Sequence, residues 1–177
     1  ATSLPVDLAV TSGGQSLRII DLAVGDVWLC SGQSNMEFPL AHALNGGMEV
    51  ARSGDPGLRL LQVPKAMAYL PQRAFGKPTR WAVAGPDSTA DFSAVCYFMA
   101  RELRRARGVP IGAIHASWGG SKVTPWLDPQ AGAAIGGAGD MALLGLFAKD
   151  RLAAVAQFAP RWQAWYAGEA GGSAPWA

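Results

Sequence analysis

"GDVWLCSGQSNMEF", residues Gly25 to Phe38, passes in one step from an apolar run to a polar turn. Val27, Trp28, Leu29 and Cys30 read as a buried strand that delivers Ser34 into the sequence Gly32-Gln33-Ser34-Asn35. Gly32 permits a sharp turn, and "NMEFPL" reads as the beginning of a helical turn whose N–H groups face whatever binds there. In α/β proteins reactive groups gather just beyond the carboxyl ends of parallel strands. Ser34 stands at such an end. Position alone leaves two readings open, a nucleophile or a serine that caps a turn.

Outward from this stretch, further short apolar runs follow, "LRLLQV" (58–63) and "IGAIHAS" (111–117). Continuous apolar runs predict strands covered on both faces, as in a parallel sheet. Between the last two lies the clearest helix, "DFSAVCYFMARELRRARG". Phe92, Val95, Cys96, Met99, Leu103 and Ala106 form one apolar stripe along it. Asp91 or Ser93 can cap its start, Gly108 can end it, and Pro110 lies just beyond. Strand, helix and strand make a βαβ unit, so the expected architecture is a three-layer α/β/α domain.

Upstream, "LPVDLAVTSGGQSLRIIDLAV" alternates loosely around Gly13-Gly14 and predicts a β-hairpin within residues 1–24. A lone hairpin is marginal in water and asks for a partner sheet. Downstream, "QAGAAIGGAGD" reads as a Gly- and Ala-rich surface loop, followed by a helix over about 141–158 that Pro160 breaks. Three visible sheet strands are few for such a domain, and tryptophans near the end of the sequence would be poorly buried. Both features predict a sheet that is incomplete in this chain.

At 177 residues, 50% hydrophobic and 16% charged, the chain has a globular composition sized for a single core. A net charge of +2 argues against nucleic acid, and the basic run "RELRRARG" reads as the solvated face of a helix. No apolar run approaches the roughly 20 residues of a membrane-spanning helix. The start "ATSLPVDLAV" lacks a Met and a basic leader, as a mature chain would. Cys30 and Cys96 lie in apolar surroundings and read as buried free thiols, with a disulfide the less favoured alternative. Neither they nor the two histidines have metal-ligand spacing.

The block around Ser34, taken with "FSAVCYFMARELRRARGVPIGAIHASWGGSKVTPWL", resembles the sialate O-acetylesterase family of the SGNH-hydrolase superfamily of carbohydrate esterases. The similarity runs from about Asp21 to Asp128. It implies a flavodoxin-like α/β/α catalytic domain, of which residues 25–177 would be the N-terminal portion, preceded by the end of a β-domain in residues 1–24. It implies that Ser34 is the nucleophile, with its own N–H as one oxyanion donor. Gly119 and Gly120, in "SWGGSKVTPW", would line the acetyl or sugar pocket and supply an N–H, although a plain tight turn accounts for them equally. Ser121 stands where the family more often has Thr. Gln33 and Asn35 would fix the loop or polarise substrate. Trp118 and Trp126 are placed to stack on a sugar or to fill a core. Glu37 complements the start of the helix and carries no catalytic role.

The base is missing. The family's pattern, an Asp and a His three residues apart, occurs nowhere in the sequence. His42 would lie two helical turns from Ser34, and His115 reads as a buried core histidine inside a strand. The family's Gln-Gly-Glu block is also absent, since "WYAGEAGG" (Trp165 to Gly172) has Ala167 in place of Gln. The resemblance therefore implies a serine esterase acting on O-acetylated sugars, sialic acids first and xylan or other carbohydrates next, with no cofactor or metal. The catalytic Asp and His would come from a missing segment or a second polypeptide. A non-catalytic glycan-binding fragment is the reading from another class. Family habit implies a secreted or periplasmic location.

Overall fold

The computed structural model describes residues 5–168. The chain forms two compact units. One comprises the residues up to Lys65 together with Phe75–Lys122, and the other comprises Ala66–Ala74 together with the residues from Val123 on.

The first unit opens with the predicted hairpin, β1 (Val6–Ser12) paired antiparallel with β2 (Gln15–Leu22). Gly13 and Gly14 both have positive φ, 57° and 78°, as a tight two-residue hairpin turn requires. The two strands pair only with each other, and Val10, Leu17 and Ile20 are exposed. A bidentate ion pair ties the hairpin's end to the sheet: Arg59 donates to both Asp21 carboxylate oxygens at 2.6 and 2.7 Å. That hydrogen bonding holds the Asp21 carboxyl below the usual carboxylate range.

The main sheet contains β3 (Asp26–Gly32), β4 (Asp55–Gln62), β5 (Ala82–Ala84) and β6 (Ile111–Ser117), in the spatial order β3-β6-β4-β5. β6 pairs parallel with both β3 and β4, which matches the three predicted strands. β5 adds an antiparallel edge beside β4. Three short helices, α1 (Ser34–Glu37), α2 (Gly46–Ala51) and α3 (Pro86–Thr89), precede the long α4 (Ala94–Arg107).

Helix α4 is bounded as the sequence predicts. The Ser93 hydroxyl accepts from the Cys96 N–H at 3.1 Å, and Gly108 ends the helix at φ 67°. Its buried face differs from the predicted stripe: Ala94, Cys96, Tyr97 and Ala100 are buried, whereas Val95 is half exposed and Ala106 exposed. Cys96 forms a disulfide with Cys30, with Cα atoms 5.9 Å apart, which corrects the free-thiol expectation. The bond turns the Cys96 side of the helix toward β3. The core lies between α4 and the sheet and includes Leu58, Leu60, Ile111 and Ala113. On the opposite face the expected cover is incomplete: Val27 is 62% and Leu29 67% exposed.

In the second unit, α5 (Pro129–Gly132), α6 (Ala138–Lys149) and α7 (Arg151–Gly168) replace the predicted loop and single broken helix. Asp128 caps α5 by accepting from the Ala131 N–H at 2.8 Å, and the alanines on either side of Gly136 favour helix. Pro160 lies inside α7 and does not end it. The whole run Pro129–Lys149 is long and apolar enough to span a membrane by length and composition. Gly136, at φ 92°, breaks it into pieces, and the 12 residues of α6 fall well short of the about 30 Å hydrocarbon core. The block "WYAGEAGG" continues past Gly168 and so lies partly outside the described residues.

Candidate active site

The carboxyl ends of β3, β4 and β6 lie alongside one another. Ser34 opens α1 two residues past β3 and is exposed. Gly32 makes the turn at φ 148°, and a β-carbon there would stand 3.2 Å from Met36. A larger residue would be both strained and crowded. The following loop is pinned to the head of α4: Leu40 N–H donates to Phe92 at 2.9 Å and Ala94 N–H to Phe38 at 2.8 Å. The disulfide anchors β3 itself two residues before Gly32. The serine turn is thus held from the strand side, the helix side and beneath.

The second loop leaves β6 at Ser117. Trp118 N–H donates to the Gly32 carbonyl at 3.0 Å, extending the β3–β6 pairing into the turn region. The two glycines differ in their need. A β-carbon on Gly119 would lie 2.5 Å from a Glu37 carboxylate oxygen and 3.7 Å from Ser34 Oγ, so a side chain there would displace the Glu37 carboxylate. Gly120 instead has φ 77°, a left-handed conformation. Gly119 and Ser34 therefore stand close together. The Gly119 N–H, expected to face a ligand, donates to the Glu37 carboxylate. Glu37 also pairs with Lys65, three residues past β4, and Lys65 lies over the Trp118 ring at 5.7 Å from its centroid. Trp118 consequently has one face near a cation.

Ser34 Oγ donates to its neighbour Gln33 Oε1 at 3.4 Å. Asn35 is exposed in the same short helix. Neither histidine serves Ser34. His115 Nδ1 donates to Gln62 Oε1 at 2.7 Å, and its Nε2 accepts from the Ser117 hydroxyl. Burial, and then the nearby Lys65 charge, push the His115 pKa down, so the ring is neutral at pH 7. This agrees with the core histidine read from sequence. His42 is not two turns along a helix: α1 stops at Glu37, Pro39 is extended, and His42 ends a separate 3₁₀ turn, with its ring edge-on to Phe38. Trp126 belongs to the second unit and sits in a short 3₁₀ turn, half exposed.

The Glu37–Gly119–Lys65 cluster is what the sequence reading missed. Glu37 and Gly119 are 82 positions apart, and only the β3–β6 pairing brings them together. A cleft of about 430 Å³ exists elsewhere, lined by Ile20, Leu22, Val27, Arg59 and Trp81. It lies at the amino ends of β3 and β6, away from Ser34.

No family model matches the chain. It is 33% identical over 129 residues to the sialate O-acetylesterase of Rattus norvegicus, covering 68% of this chain and 24% of that protein. The Homo sapiens sialate O-acetylesterase is 34% identical over 119 residues, covering 63% of this chain and 23% of that protein. Among solved structures, a carbohydrate acetylesterase from Xanthomonas citri is 44% identical with a TM-score of 0.65, over 73% of this chain and 29% of its own. The chain spans about a quarter of the length of the curated relatives it matches. Over some two thirds of its own length, this chain is a relative of the sialate O-acetylesterases.

Proposed function

We propose that the chain carries the nucleophile half of a carbohydrate esterase, with Ser34 attacking the acetyl group of an O-acetylated sugar. The supporting observation is the placement of Ser34: exposed, just past a glycine turn at the end of a parallel strand, with its Oγ 3.7 Å from where a Gly119 β-carbon would stand. Ser34 Oγ would bond to the acetyl carbonyl carbon while its proton passes to a base. The resulting oxyanion would be met by N–H groups, including that of Ser34, whose place at the start of α1 leaves it without an intrahelical partner. Collapse would expel the sugar hydroxyl, reprotonated by the same base, and water would then release acetate.

The base is proposed to be an Asp and His carried by a polypeptide segment not in this sequence. Two observations support that. His115 is committed to Gln62 and Ser117, and the sequence contains no Asp-x-x-His. The exposed apolar face of β3 favours a three-layer domain, because parallel strands are ordinarily covered on both sides. Sialic acid O-acetyl groups are the first substrate to test, by analogy with the named relatives, and other acetylated carbohydrates the second. The disulfide supports a secreted or periplasmic setting, where such bonds persist. A glycan-binding role without hydrolysis is the second reading, favoured by the same commitment of His115.

The test is a simple acetyl-ester assay beside active-site labelling with a fluorophosphonate, mapped by peptide mass spectrometry. With the polypeptide that carries the Asp and His present, label on Ser34, lost together with activity in Ser34→Ala, is the expected result. Label at another residue refutes the nucleophile assignment, and an active chain with no added polypeptide refutes the external base.

A further inference from the structure

We propose that Glu37 is a positioning residue, fixing the Gly119–Gly120 loop at a set distance from Ser34, and that Lys65 neutralises the carboxylate that does so. The proposal rests on the reading of Ser34 as nucleophile. One carboxylate joins all three loops that leave the parallel strands at their carboxyl ends. Glu37, closing α1 after β3, accepts from the Gly119 N–H after β6 through one oxygen and pairs with Lys65 after β4 through the other. Both Ser34 Oγ and Glu37 Oε2 lie within 4 Å of the point where a Gly119 β-carbon would stand. The anchor of the loop is therefore in the same small region as the Ser34 hydroxyl.

That proximity creates an electrostatic conflict. A carboxylate so near a developing oxyanion opposes it, since like charges at short range in a partly desolvated site repel strongly. The Glu37 side chain is 27% exposed and its Lys65 partner 44%, so solvent screens the pair only in part. Lys65 cancels the charge locally, and its position over Trp118 adds a second hold on the ammonium. The carboxylate also takes the Gly119 N–H away from any substrate oxygen, which leaves Ser34 N–H and the Gly120 turn to face it.

Three variants separate these roles. Glu37→Ala removes the anchor, Glu37→Gln keeps an oxygen acceptor for Gly119 without charge, and Lys65→Met leaves the carboxylate uncompensated. Two readouts are taken: the amide spectrum of the ¹⁵N-labelled chain, and the second-order rate of Ser34 labelling by the fluorophosphonate with the polypeptide that carries the Asp and His present. In Glu37→Ala the Gly119 and Gly120 amides should shift and lose exchange protection, with the Ser34 amide shifting in concert. Its labelling should slow by about 10- to 100-fold, the cost of misplacing a reacting group by around an ångström. Glu37→Gln should recover most of both losses. Lys65→Met should keep the amide pattern yet label about tenfold more slowly. Unchanged Gly119, Gly120 and Ser34 amides in Glu37→Ala overturn the positioning role. An unaltered Lys65→Met rate overturns the charge argument. If Ser34 takes no label even with the polypeptide that carries the Asp and His present, the nucleophile reading fails, and the amide spectra still decide whether Glu37 sets the loop.

Discussion

Buried, neutral and bonded through both ring nitrogens, His115 makes the site's surroundings sensitive to acid. Its folded pKa is depressed, first by burial and then by Lys65, relative to the ordinary value of 6.5. The unfolded chain thus binds a proton more readily than the folded one between the depressed value and 6.5, and stability rises with pH through that window. The contribution is fully present above 6.5 and is lost as pH falls through it. Urea midpoints at pH 7.5 and 5.5 check this: the parent should lose stability on acidification, and His115→Gln should lose less. Equal losses would mean that His115 is not the group responsible. The histidine's core placement was legible, because it sits inside an apolar strand. Its partners were not, since Gln62 lies 53 positions away and reaches it only through the β4–β6 pairing. The same holds for Glu37, which reads locally as a residue complementing a helix start.

Among the elements, α4 was the most legible, its ends given by Ser93 and Gly108. Its rotation was not, because an apolar stripe broad enough to include Val95 and Cys96 tolerates more than one facing. The disulfide settles the choice, and two cysteines 66 positions apart carry no local sign of pairing. β5 escaped notice because three residues have no period to read. The helices after Asp128 escaped because Ala and Gly give opposing local signals. In the loop-entropy account, a crosslink closing 66 residues contributes about 4 kcal/mol. The Cys30→Ala/Cys96→Ala double variant, or the reduced parent, should lose most of that in chemical denaturation. A loss under about 1 kcal/mol would show that packing of α4 alone already fixes β3.

For the whole molecule, the consequential feature is a sheet finished on one side only. α4 covers one face, while Val27 and Leu29 stand exposed on the other. Contiguous apolar surface of this kind drives association or awaits a cover. Val27→Lys and Leu29→Lys should therefore reduce concentration-dependent association in light scattering and leave the melting temperature nearly unchanged. A fall in melting temperature comparable to that of a core substitution would show these residues to be buried in solution. The α/β class and the serine turn after β3 were legible because each rests on a contiguous stretch. The open face was not, since runs such as "VWLC" look alike whether one side or both are covered.

The central place of β6 has a further consequence, for synthesis. β3 and β4 do not pair with each other; both pair with β6, which comes last. No part of the parallel sheet can therefore close while the ribosome is still short of Ser117. At roughly 5–20 residues per second, Gly32 waits on the order of 10 s for its partner strand. Throughout that interval Trp28 and Leu29 stay unpaired on the nascent chain, so the apolar strand that leads to Ser34 is the part of the sheet exposed longest during synthesis.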